Sequence, residues 1–237
     1  MAIGDHAPAR AGDIRCVDAS KDWLVCGWFT PDYRPLAAKF ATNLDAHGAP
    51  YHLFAEEKHP DGWDTRRKPS VALKAMDAYP GKTLVLMDVD CIVRGDITPA
   101  THIAADVGVS VKARQSLRQR GITITLGSRV VIFRPTEGAR AFAAEWMRLC
   151  DQAKIGSAED SMVWAYTLRP DISYTHLDPR HAGREIGAGY DLDNIVIWHE
   201  SEHEKGHWRS LKMALKHFER RWFRAGRTKA AMQTKLG

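Results

Sequence analysis

Two strand-length apolar runs separated by an amphipathic stretch, and a third run that ends in paired aspartates, predict an α/β domain with a parallel sheet and helices packed on it. Trp23-Leu24-Val25-Cys26-Gly27-Trp28-Phe29 is rich in β-formers and bounded by Lys21-Asp22 and Thr30-Pro31, so it reads as a buried strand. From Pro35 to His47, Leu36, Phe40 and Leu44 recur at four-residue intervals and Gly48 follows, the pattern of an amphipathic helix stopped by glycine. Tyr51 to Ala55 is the next strand and completes a βαβ unit. A helix from Ser70 to Tyr79 carries Val71, Leu73, Ala75 and Met76 and stops at Pro80-Gly81. Thr83 to Met87 is the central strand. Val107 to Val111, Arg129 to Phe133 and Ile195 to Trp198 read as later strands, with helices from Thr136 to Cys150 and after Ser157.

The 237 residues suit one such domain, and 44% apolar with 27% charged residues is the balance of an ordinary folded protein. No apolar run nears the roughly 20 residues that span a bilayer, and residues 1–15 lack the apolar stretch of a signal peptide, so a cytoplasmic protein is expected. Cys16, Cys26, Cys91 and Cys150 are scattered without C-x-x-C spacing, which points to reduced thiols rather than zinc or disulfides. The formal charge of +5 is uneven. From Trp208 onward nine Lys/Arg and one Glu give +8, which leaves 5 − 8 = −3 for the rest. With no basic face visible in the body, nucleic acid is not an expected partner. Three parts follow: a flexible N-terminal segment over 1–20, the α/β domain over 21–207, and a basic extension over 208–237.

In that extension Trp208, Leu211, Leu215, Phe218 and Trp222 share one side of a helix, while Lys212, Lys216, Arg220, Arg221 and Arg224 occupy much of the rest. Such a basic amphipathic helix packs on the body or lies against an anionic membrane at its inner face.

Asp88-Val89-Asp90 follows the central strand directly. Residues i and i+2 of an extended segment project to one side, so the two carboxylates converge where the apolar strand ends. They repel unless a cation joins them, and Mn²⁺ or Mg²⁺ does so with hard oxygen ligands while leaving positions for phosphate oxygens. Open α/β sheets place ligands at this edge. The plainer alternative is a pair of acids that caps the strand and opens a turn toward Arg94-Gly95-Asp96.

The stretch from Arg66-Arg67-Lys68-Pro69 through Ala78-Tyr79-Pro80-Gly81-Lys82 to Leu84-Val85-Leu86-Met87-Asp88-Val89-Asp90 resembles nucleotide-diphospho-sugar transferases of the GT-A fold. Val130-Val131-Ile132-Phe133-Arg134-Pro135 with the helix that carries Trp146, Ala158-Glu159-Asp160-Ser161, and Ile195-Val196-Ile197-Trp198-His199-Glu200 are similar to later segments of that family, in the same order. The resemblance covers roughly Asp22 to Trp208. It implies a single GT-A (Rossmann-like) domain with a mixed, mostly parallel central sheet flanked by helices, and a metal-dependent glycosyltransferase that moves a sugar from a nucleotide-diphosphate-sugar donor to a hydroxyl acceptor on a glycan, glycolipid or polysaccharide. It further implies metal ligation by Asp88, Asp90 and His199, with His203 and His207 as neighbouring candidates for the third ligand. Lys68 and Lys205 would contact the diphosphate, and Thr30 and Tyr33 resemble the nucleotide-base loop. Asp160, with Glu159 as its alternate, is the carboxylate beside the reacting sugar: a base toward the acceptor hydroxyl if the anomeric centre inverts, a positioning group if it is retained. The two acids equally suit the positive end of the helix that follows them.

A competing reading starts from the same residues. Leu86-Met87-Asp88-Val89-Asp90 followed by Ile92-Val93 also resembles the first motif of haloacid-dehalogenase-like phosphatases, with Asp88 as nucleophile and Asp90 as general acid/base. In that family the motif sits on the first strand, whereas here a βαβ unit precedes it.

Overall fold

The structure is a computed structural model that describes residues 11–58, 65–116, 121–152, 158–181 and 194–199. In chain order its elements are β1 (Ile14–Cys16), β2 (Trp23–Phe29), α1 (Arg34–Ala46), β3 (Tyr51–Ala55), α2 (Lys68–Ala78), β4 (Thr83–Met87) and β5 (Cys91–Val93). Then come α3 (Thr98–Thr101), β6 (Val107–Ser116), β7 (Gly121–Phe133), α4 (Glu137–Gln152), α5 (Ala158–Leu168), β8 (Tyr174–His176) and β9 (Ile197–His199). Helix α2 begins two residues before the expected start, because Pro69 belongs in a first helical turn, where its missing N–H costs nothing.

Seven of the described strands form one sheet in the order β1-β3-β2-β4-β7-β6-β8. β2 pairs in parallel with β3 and β4, and β6 with β8, while β1 and β7 run against their neighbours. Five strands therefore point one way and two the other, which is the mixed, mostly parallel sheet expected from sequence. Along β4 the side chains alternate between two apolar layers. Leu84 and Leu86 join Val71, Ala72 and Ala75 of α2 and Phe142 and Trp146 of α4; Val85 and Met87 join Phe40 and Leu44 of α1. Burial on both faces explains why β2 and β4 read as continuous apolar runs rather than alternating ones.

Residues 14–16, which the sequence reading left in the N-terminal segment, add an edge strand antiparallel to β3. Polar contacts hold it there: Asp13 accepts from the backbone N–H of Ala55 at 2.8 Å and bonds His52 Nε2 at 2.9 Å, and His52 Nδ1 meets the Tyr79 hydroxyl at 2.8 Å. Burial pushes the His52 imidazole below its usual range, against the pull of Asp13. A three-residue strand anchored by an aspartate carries no hydrophobic periodicity, so sequence patterning passed over it. The strand expected at Ile195 to Trp198 exists as β9, but it pairs with β5 in a separate two-stranded sheet rather than joining the main one.

Gly27 lies in β2 between β3 and β4, and a Cβ there would stand 2.8 Å from the Met87 carbonyl oxygen. The strand carrying the aspartate pair thus packs closer to its neighbour than any side chain allows. Gly27→Ala should cost roughly 1–3 kcal/mol through overpacking, read as a lower urea midpoint at unchanged m; an unchanged midpoint would show that the two strands part without cost.

Candidate metal and donor site

The C-terminal ends of the parallel strands β2, β3 and β4 lie at one edge of the sheet, where Thr30, Glu56 and Asp88 follow them. Beyond Met87 the chain does not stay extended. The Cys91 N–H donates to the Asp88 carbonyl at 3.0 Å, closing a turn, and the Asp88 N–H donates to the Arg129 carbonyl at 3.1 Å. The turn, rather than an extended i, i+2 pair, gathers the two carboxylates.

β5 leaves this turn at once, and Asn43 of α1 clasps it by donating to the Val93 carbonyl at 2.9 Å and accepting from the Val93 N–H at 2.7 Å. β9 pairs with β5 so that His199 stands opposite Cys91, one residue past Asp90. His199 Nε2 consequently lies 3.0 Å from Asp90 Oδ1 and 4.0 Å from Asp88 Oδ2. One ligand atom from each of the three residues falls within 4.8 Å of the others, and His199 is buried. Octahedral ligands bound at about 2.1 Å sit roughly 3.0 Å apart when adjacent and 4.2 Å apart when opposite. The separations seen here fit one cation, and the donor set suits a hard divalent ion. Buried Cys91 senses the cluster: burial first, then the charges of Asp88 and Asp90, push its thiol well above the usual range, while Lys68 and Arg129 pull it down.

Lys68, at the start of α2, is 4% exposed. Its ammonium lies 2.6 Å from Asp88 Oδ1 and donates to Asp88 Oδ2 at 2.9 Å, to the Ser128 carbonyl at 3.1 Å and to Ser128 Oγ at 3.2 Å. Its three N–H groups are therefore met inside the protein by four acceptor atoms. Ser128 is available because β7 slips register against β6 between Val109↔Val131 and Ser110↔Gly127, which bows residues 128–130 out of that ladder at the end of β4. Bulges commonly re-aim groups in this way beside functional sites. The base of α2 is fixed in turn by Glu56, which pairs with both Arg67 and Lys74.

Trp146 Nε1 donates to the Ala158 carbonyl at 2.9 Å and so sets where α5 begins. Glu159 then turns inward, and its Oε1 accepts from the Ser128 N–H at 3.4 Å. Asp160 is exposed on the same first turn. Glu159, named only as the alternate, is the acid tied to the Lys68–Asp88 group. Thr30 is buried and donates to Asp32 Oδ1 at 2.6 Å; Tyr33, half-buried, closes the 3-10 turn by donating its N–H to the Thr30 carbonyl at 2.8 Å. Both sit at the end of β2, the strand beside β4. Lys205, His203, His207 and the 208–237 extension lie outside the described residues. Ser128 was missed from sequence, because a bulge inside a strand leaves no periodic signal.

No protein-family model matches the chain, and no curated protein matches it in sequence. Solved structures do match its fold. The apo-form glycosyltransferase GlyE of Streptococcus pneumoniae TIGR4 gives a TM-score of 0.54 at 13% identity, covering 87% of this chain and 64% of that one. A glycosyltransferase involved in glycosylation of the major capsid of PBCV-1 gives 0.54 at 17% identity, covering 76% of this chain and 96% of that one. The chain has the GT-A fold. It spans about 64% of the length of GlyE. The GT-A sheet places Asp88 after its fourth strand in chain order, and Lys68 engages both oxygens of that carboxylate. The phosphatase alternative, which needs Asp88 as a free nucleophile on a first strand, gains no support. Among the described residues, no helix is long and apolar enough to cross a membrane.

A ligand that binds only the folded state raises the melting temperature. Mn²⁺ added together with each common nucleoside diphosphate in turn should stabilise the wild type with at least one of them. Asp90→Asn and His199→Ala should each abolish that shift while leaving the metal-free melting temperature near wild type; a full shift in both variants would remove the cluster from metal binding.

Proposed function

We propose that the chain is a metal-dependent glycosyltransferase that moves a sugar from a nucleoside-diphosphate-sugar to a hydroxyl acceptor. The observation that carries this reading is the convergence of Asp88, Asp90 and His199 at the ligand edge of a GT-A sheet. A Mn²⁺ or Mg²⁺ ion held by these three residues would supply positive charge to the diphosphate leaving group. Thr30 and Tyr33, at the end of the adjacent strand, border the side on which the nucleotide would lie, and Lys205 remains a diphosphate candidate on sequence grounds.

The two acids of α5 divide the remaining work. Glu159 is anchored on the Ser128 N–H and faces the donor side, where it orients the sugar. Asp160 is exposed, and a carboxylate oxygen there would take the proton of an incoming acceptor hydroxyl. Asp160, Trp164 and Leu168 fall at i, i+4 and i+8, so they form one stripe along the helix. Trp164 and Leu168 are 51% and 50% exposed. An indole beside a carboxylate suits a pyranose, which offers an apolar C–H face and hydroxyl edges, and four residues of helix rise about 6 Å, close to one sugar unit. The acceptor therefore approaches along α5. The basic extension, with its Trp/Leu/Phe stripe, is proposed as a peripheral contact for an anionic membrane that carries such an acceptor.

The experiment is a sugar-nucleotide panel with Mn²⁺, read as nucleoside diphosphate released with and without mixed oligosaccharide acceptors. Asp160→Asn should lower transfer by roughly 10²–10⁴-fold. Trp164→Ala should raise acceptor KM with donor hydrolysis unchanged. Turnover near wild type in Asp160→Asn would take that residue out of the chemistry, and no release from any sugar nucleotide would overturn the function itself.

A further inference from the structure

The buried Lys68 has a consequence for the order in which the site fills. Asp88 and Asp90 carry −2 together, His199 is neutral when it acts as a ligand, and Lys68 contributes +1, so the cluster offers −2 + 1 = −1 to a divalent cation. The Lys68 charge cannot turn away: the residue is 4% exposed and its ammonium lies within 3.2 Å of four acceptor atoms on Asp88 and Ser128. Nor is it a remote charge, because Asp88 Oδ2 is both its acceptor at 2.9 Å and the oxygen that faces His199 at 4.0 Å. A cation entering between Asp88 and His199 shares that carboxylate with an ammonium already in place. Arg129, whose carbonyl accepts from the Asp88 N–H, adds a second positive charge to the same neighbourhood.

We propose that Lys68 couples metal loading to donor loading: by cancelling the charge of Asp88 it keeps the free site a weak binder of divalent cations, and the two negative charges of the donor diphosphate complete the ligand set. Lys68 is then a positioning residue. It holds Asp88 in place and sets the charge of the cluster without touching the substrate. The design prevents the site from filling with bare metal in the absence of sugar nucleotide. The identity of the completing anion rests on the glycosyltransferase reading; the weakness of the free site does not.

Titration with Mn²⁺ alone, followed by the loss of the free-ion electron paramagnetic resonance signal, tests the charge argument without any donor. The wild type should bind in the millimolar range. Lys68→Met should bind Mn²⁺ at least about tenfold more tightly, the lower end of what one unit charge a few ångströms from a divalent ion is worth, and Lys68→Arg, which keeps the charge, should stay near wild type. Micromolar binding of Mn²⁺ alone by the wild type overturns the proposal, and that arm decides the matter even where Lys68→Met fails to fold. Unchanged or weaker binding in a folded Lys68→Met also overturns it. Adding each nucleoside diphosphate in turn then separates the two claims: weak metal binding that no nucleotide improves sustains the role of Lys68 and counts against the donor assignment.

Discussion

The ammonium of Lys68, closed in between the Asp88 carboxylate and Ser128, ties together the four elements that make the site. It brings the first turn of α2 to the end of β4 and to the bulge of β7, and Ser128 passes the connection on to Glu159 at the start of α5. A buried ammonium without partners would cost several kcal/mol. These elements therefore have little freedom to drift apart, because each partner lost leaves a charge or a polar group stranded. Glu56 braces α2 from the other side through Arg67 and Lys74, and the Trp146 indole does the same for α5. The site is a polar knot laid across an apolar sheet.

The sheet itself was largely legible from the sequence. The strands at Trp23–Phe29, Tyr51–Ala55 and Thr83–Met87 announced themselves because both faces are buried, so nearly every residue is apolar; α1 did so because its buried positions recur at helical spacing. Polar features were harder. The edge strand Ile14–Cys16 depends on Asp13 and His52, and Ser128 depends on a register slip between β6 and β7. Neither has a period to detect. The inner position of Glu159 relative to Asp160 was also hidden, since adjacent residues on a helix point about 100° apart and only the packing of α5 decides which one faces in.

His199 illustrates a middle case. The Ile195 to Trp198 run marked a strand, and the resemblance to GT-A transferases drew attention to the histidine after it, yet nothing in one dimension fixes where that strand pairs. Its ladder with Cys91–Val93 gives the answer, because β5 is the segment that begins where the aspartates end. Two three-residue strands, with Asn43 clasping one of them, carry a metal-ligand candidate across more than a hundred residues of sequence to within 3.0 Å of Asp90. The GT-A fold supplies the sheet edge; the small second sheet brings the histidine to it.

The most direct test of this account is anomalous diffraction at the manganese edge from crystals soaked with Mn²⁺ and each nucleoside diphosphate in turn. The account predicts one strong peak bounded by Asp88, Asp90 and His199, with diphosphate oxygens completing the coordination and Lys68 still on Asp88. Diphosphate density elsewhere on the protein, or a manganese peak that does not touch Asp90 and His199, would contradict it.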